Sequence, residues 1–284
     1  MKRLFLLLVS VCLLWAGPAF ATNITIYDEN SYSTTGWYAQ HKAWYGRHKA
    51  WYGPQEDQEV EPGMARSQAW DLEGFFTNGT SLSLVGGYDF KKGVEGYTSG
   101  DIFIDTDPLS VDNPVYGGHG PLHGDDGNME VPNTYGYDYV LDLNWDGLTY
   151  NVYKIDQNTQ VRTAYYHQNQ GSSPWQFNVS DNSSEGALDN GVVSISSGII
   201  GYTTGLTDND TGFSGGTHNK LVVDLGFLNQ ESGQDYTDFT VHYTMRCGND
   251  NIMGRGTIPN PEPATLLLFG CGLLGIAGIC RKKF

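Results

Sequence analysis

Asp71 and Glu73, in the stretch WDLEGFF at residues 70–76, are residues whose types and spacing suit chemistry. Glycoside hydrolysis uses two carboxylates flanking a scissile bond. A two-residue step along a strand sets both on one face, roughly 7 Å apart. Phe75 beside them would line a glycan groove. The plainer reading of the same residues is a solvated sheet face, and no catalytic residue is assigned. No G-x-S-x-G elbow or P-loop occurs in the chain, so nothing compels an enzyme. A hydrolase built on Asp71 or Glu73 stays as the alternative.

Hard oxygen donors gather in three loops. They are Asp101, Asp105 and Asp107; Asp125, Asp126 and Asn128; and Asp208, Asn209 and Asp210. Calcium takes roughly six to eight oxygens from carboxylates and carbonyls on flexible turns. A structural calcium is therefore the candidate cofactor, with Asp101, Asp105, Asp107, Asp208 and Asp210 as its candidate ligands. No segment matches an EF-hand loop, and acidic turns are also ordinary turn chemistry. His119 and His123 have the H-x-x-x-H spacing, but Gly120, Pro121 and Leu122 between them supply neither a helix nor the glutamate of a zinc protease. Seven Trp and 18 Tyr make sugar stacking credible, although aromatics also serve cross-strand packing. The pair Trp-Tyr recurs at 37–38, 44–45 and 51–52, the last two within copies of HKAWYG. Gly46, Gly53 and Pro54 oppose a helix there, and an odd period on a strand sends successive tryptophans to opposite faces. The repeat reads as a tolerated tandem duplication.

The elements that must position these residues are strands. In DFTVHYTMR, Phe239, Val241, Tyr243 and Met245 alternate with Asp238, Thr240, His242, Thr244 and Arg246. Leu221, Val223, Leu225 and Phe227 align likewise, as do Leu82 and Leu84 between serines. In 70–76, Trp70, Leu72, Gly74 and Phe76 oppose Asp71, Glu73 and Phe75. Residues 135–155 read as a hairpin turning at Asp146-Gly147. About ten short strands with turn signals between them predict an all-β fold, an antiparallel β-sandwich or jelly-roll-like ectodomain. A long Pro/Gly-rich loop, 106–135, interrupts the rhythm and is either functional or a boundary between sheets.

The ends of the chain carry address signals. Lys2 and Arg3, an apolar run from Leu4, and Ala19-Phe20-Ala21 make a secretory signal peptide over 1–21, with Ala19 and Ala21 as the small residues that precede the cleavage site. At the other end Pro261, Glu262 and Pro263 precede an apolar run, 264–280, and a basic tail, 281–284, whose Arg281, Lys282 and Lys283 stop transfer. The run predicts one C-terminal transmembrane helix, with residues 22–260 outside. This three-part tail over 259–284 resembles the PEP-CTERM sorting signal of Gram-negative bacteria, a signature also labelled ice-binding protein C-terminal domain. The resemblance implies recognition of Pro261, Glu262 and Pro263 by exosortase and release or attachment at the cell surface. The region 22–258 also resembles a recurrent ectodomain of exosortase-dependent surface proteins. The stretches that carry this likeness are QEDQEVEPG (55–63), WDLEGFF, YTSGDIFID (97–105), YGYDYVLDLN (135–144), GLTDNDTGFSGGTHN (205–219) and MRCGNDNIMG (245–254).

Charge narrows the partners. Between residues 22 and 260 there are 11 basic and 31 acidic residues, a net −20. Nucleic acid, which is held through Lys and Arg on phosphates, is excluded as a partner. Cys247 is the one cysteine in that region, so no intrachain disulfide forms there, and burial is its expected place. The reading that follows is an exported, non-enzymatic cell-surface or matrix protein associated with exopolysaccharide and biofilm. A glycan-binding module or hydrolase is the alternative, and ice binding a minor one that would call for flat threonine arrays.

Overall fold

The computed structural model describes residues 21–26, 56–57, 60, 64–65, 67–106, 128–165, 172–184, 187–232 and 236–259. Among these residues the fold is all-β and antiparallel, with short helical turns only. One sheet has five strands in the order β1 (Thr22–Asn23), β3 (Leu72–Asn78), β4 (Ser81–Gly86), β15 (His218–Asp224) and β14 (Gly201–Leu206). The second has seven: β13 (Val193–Ile199), β8 (Thr149–Lys154), β7 (Tyr139–Asn144), β5 (Ile102–Asp105), β16 (Tyr236–Thr244), β17 (Asn251–Pro259) and β2 (Thr25–Ile26). They share one core, in which Leu72, Phe75, Leu82, Leu84, Leu221 and Val223 meet Ile104, Leu141, Val152, Phe239, Val241 and Tyr243. The period-two faces of 81–86, 221–225 and 239–245 thus point where alternation predicts. Each such side chain contributes roughly 1.5–3 kcal/mol on full burial.

A third layer departs from a plain two-sheet sandwich. β6 (Glu130–Pro132), β9 (Gln160–Arg162) and β10 (Gln176–Phe177) form a small sheet, and β11 (Ser183–Ser184) pairs with β12 (Ala187–Leu188). The three-stranded sheet encloses a second core with Phe103, Val140 and Tyr153, which lie on the far face of the seven-stranded sheet. The central strands are therefore buried on both sides. This is why Thr240, His242 and Thr244, which alternation assigns to solvent, are at most 1 % exposed. The stretch 130–132, expected within the long loop, belongs to this layer; residues 107–127, including Asp107, His119, His123, Asp125 and Asp126, lie outside the described residues.

Asp101 joins the layers. Its Oδ1 accepts from the Leu143 amide at 2.9 Å, and its Oδ2 from the Phe177 amide at 2.8 Å. The Asp101 amide donates to the Trp175 carbonyl at 2.8 Å. The preceding residue has to be glycine for the backbones to come this close: a Cβ on Gly100 would stand 2.2 Å from the Trp175 carbonyl oxygen and 2.5 Å from that of Thr244.

The hairpin of β7 and β8 forms as expected, with the Asn144 side chain accepting from the amides of Asp146 and Gly147. The positive φ of its loop falls on Leu148 rather than on Gly147. Cys247 is buried and free. Among the described residues no helix is long and apolar enough to cross a membrane, and the expected span 264–280 lies outside them.

A buried carboxylate–histidine centre

Three distant segments converge on the start of β3. The strand carries a bulge between Leu72 and Gly74, where its register against β4 shifts. A bulge adds a residue and breaks alternation. Leu72 and Phe75 consequently both face the main core, while Gly74 and Phe76 stand beside Phe213. The expected grouping of Phe75 with Asp71 and Glu73 is overturned for that reason. The solvated face is overturned too, since Asp71 and Glu73 are each 1 % exposed.

His218, the first residue of β15, meets both Glu73 oxygens through Nδ1 at 2.8 Å. Its Nε2 lies 3.0 Å from Oδ1 of Asp208, which sits on α1 (Asp208–Thr211). Gln68, on a 3-10 turn ending in the core residue Trp70, donates to Glu73 at 2.6 Å. A Cβ on Gly87 would reach within 1.9 Å of the Gln68 carbonyl oxygen, so glycine there admits the turn. Both oxygens of Asp57 accept from the Ser214 amide, at 3.1 and 3.0 Å. Carboxylate oxygens of Asp57, Asp71 and Glu73 lie within 4.8 Å of one another, the one group of three or more potential ligands so placed among the described residues.

The proton balance follows from geometry. Both imidazole nitrogens face carboxyl oxygens, and two lone pairs would repel. One proton therefore lies toward Asp208 and another between Nδ1 and Glu73. Burial raises the Glu73 carboxyl from 4.5 to about 8; the Gln68 hydrogen bond opposes this and the Asp57 charge adds to it. Burial also raises Asp57. A divalent cation would neutralise the same charges, and Asp57, Asp71 and Glu73 are the residues placed to hold one.

Of the candidate calcium ligands among the described residues, only Asp208 joins this centre. Asp210 closes a capping box with Thr207. Asp101 spends both oxygens on backbone amides, and Asp105 is buried at the far end of β5. Asp57, Gln68 and His218 were not singled out in the sequence. The signal was present, because QEDQEVEPG, WDLEGFF and GLTDNDTGFSGGTHN supply the Asp57, Asp71, Glu73, Asp208 and His218 that meet here.

These carboxyls set a pH dependence. Glu73, Asp57, Asp101 and Asp142 all have folded-state values raised by burial. The native state therefore holds more protons than the unfolded chain over the window between. Their stabilisation is present below the unfolded carboxylate range and lost as pH rises through the folded values. In chelator, the melting temperature is expected to fall from about pH 5 to about pH 8. Glu73→Gln should flatten the upper part of that slope. A wild-type melting temperature that holds or rises across the window would contradict this assignment.

The Pro261–Pro263 tail lies outside the described residues, and comparison with known families identifies it. The family model of the PEP-CTERM protein-sorting motif matches residues 261–282. This is a PEP-CTERM sorting-signal protein. The motif implies export, surface sorting and processing by exosortase. No curated protein and no solved structure matches the chain. Ala19, the tail residues Arg281, Lys282 and Lys283 and the Trp-Tyr repeat also lie outside the described residues; Ala21 is within them.

Proposed function

We propose that this PEP-CTERM protein is a non-enzymatic component of the cell surface or extracellular matrix, associated with exopolysaccharide. Before processing, a helix over 264–280 would hold it in the inner membrane with the sandwich outside. The carrying observation is the sorting motif at residues 261–282. Support for a non-enzymatic role comes from burial: Asp71 and Glu73 are 1 % exposed and His218 not at all. A glycosidase must admit a sugar between its carboxyls. The second reading, a glycan-active hydrolase, draws on Glu73, whose raised carboxyl is what a general acid needs. A structural calcium belongs to the first reading, with Asp208 beside the Asp57–Asp71–Glu73 group.

Pull-down on purified exopolysaccharide separates the two. Retention without new reducing ends is expected, and soluble oligosaccharide in the supernatant would replace the binding role with hydrolysis. Calcium added to the same preparation near pH 8 should raise its melting temperature; an unchanged curve excludes the ion. Ice binding predicts thermal hysteresis, and its absence removes that alternative.

A further inference from the structure

One wall of the carboxylate–histidine centre is thin. Residues 207–216 connect β14 to β15 and cover the Asp208 side of His218. None of them is buried, whereas His218 has no exposed surface.

This segment is held together by its own bonds. Asp210 closes the capping box with Thr207, and the amides of Asp210 and Thr211 donate to the Thr207 carbonyl. Asp208 Oδ1 accepts from the Gly216 amide at 2.7 Å, which ties the two ends together. A compact loop closed on itself behaves as one unit. Its links to the sandwich are of four kinds. Asp208 Oδ1 meets His218 Nε2, the Ser214 amide donates to Asp57, Gly215 lies against the Gln68 side chain, and the Phe213 ring meets Phe76 edge-on at 6.0 Å. Glycines in the left-handed region stand at both ends, Gly205 at φ +72° and Gly216 at φ +100°, and a Cβ on either would meet nothing within 4 Å. Conformation rather than packing calls for glycine there, as at a hinge.

We infer that residues 207–216 form a hinged lid over Glu73 and His218, which swings open as one piece while both sheets stay folded. Opening breaks the Asp208–His218 and Ser214–Asp57 links. It exposes an imidazole whose two nitrogens are both engaged in the closed form, Nδ1 by Glu73 and Nε2 by Asp208. The sandwich does not depend on the lid, because neither core contains a residue of 207–216. Segments with few buried apolar contacts are the ones that open before the rest. The way to Glu73 and His218 therefore runs under this segment, and the lid sets what reaches them. This device goes beyond the surface role proposed above and does not rest on it.

Labelling of the full chain with diethyl pyrocarbonate, read residue by residue by mass spectrometry, tests this. The reagent acylates an imidazole nitrogen that has a free lone pair and access to solvent. His242 is the internal control, since it is as fully buried as His218 but packs against Phe103 and Tyr137 in the second layer. His218 should label faster than His242 in the wild type. Phe213→Ala removes the ring that meets Phe76, and Asp208→Ala removes the contact with Nε2. Each should raise the His218 rate about tenfold and leave His242 at its wild-type rate. The proposal is overturned if the two histidines label equally in the wild type, if either variant leaves the His218 rate unchanged, or if His218 and His242 accelerate together, which is opening of the whole sandwich.

Discussion

Asp101→Ala is expected to destabilise the protein by about 2–5 kcal/mol, read from urea unfolding. The side chain is 4 % exposed and accepts from two amides on different layers, Leu143 in β7 and Phe177 in β10. Alanine leaves both N–H groups buried without an acceptor, each costing roughly 1–3 kcal/mol, and opens a small void beside them. Loss of the carboxyl also relieves its burial and its repulsion by Asp142, the two causes that raise Asp101; that relief offsets only part of the loss. Asn is a sharper probe. It keeps one acceptor but turns an NH2 toward the second amide, so Asp101→Asn should lose about half as much as Ala. If both variants unfold like wild type, Asp101 does not clip the layers together.

Much of this scaffold was legible in the sequence, and the failures have physical causes. Leu82 and Leu84, Leu221 and Val223, and Phe239 to Met245 lie in the main core as their alternation requires. The turn between β7 and β8 also falls where its sequence places it. The burial of the second face of β16 was not legible, because the layer that buries His242 is assembled by pairing remote segments, which periodicity does not report. The bulge within 72–74 defeated the face assignment of Asp71, Glu73 and Phe75, since a single extra residue inverts every later position.

The centre itself was half legible. Asp71 and Glu73 stood out by type and spacing, whereas His218 lies far along the chain and meets Glu73 only through β15 and the loop after α1. Asp208 was singled out among oxygen donors, yet its partner is an imidazole. The sorting motif, by contrast, was legible in the sequence, because it is a linear signature that needs no tertiary assembly to define it.

The second large effect concerns that motif. Glu262 carries the one charge between the two prolines of the triplet at 261–263. Alanine there removes the group we propose exosortase recognises, while sparing the apolar run and the basic residues Arg281, Lys282 and Lys283. The precursor should still be exported and still stop in the inner membrane, because those steps depend on hydrophobicity and positive charge. Processing should fail. The sandwich should be unaffected, as position 262 lies beyond β17.

Cell fractionation of wild type and Glu262→Ala, probed for the ectodomain, is therefore the most direct measurement. The prediction is shortened wild-type protein at the surface or in the matrix, against full-length Glu262→Ala precursor held in the inner membrane. Equal processing and equal surface display of the two would contradict an exosortase-sorted surface protein.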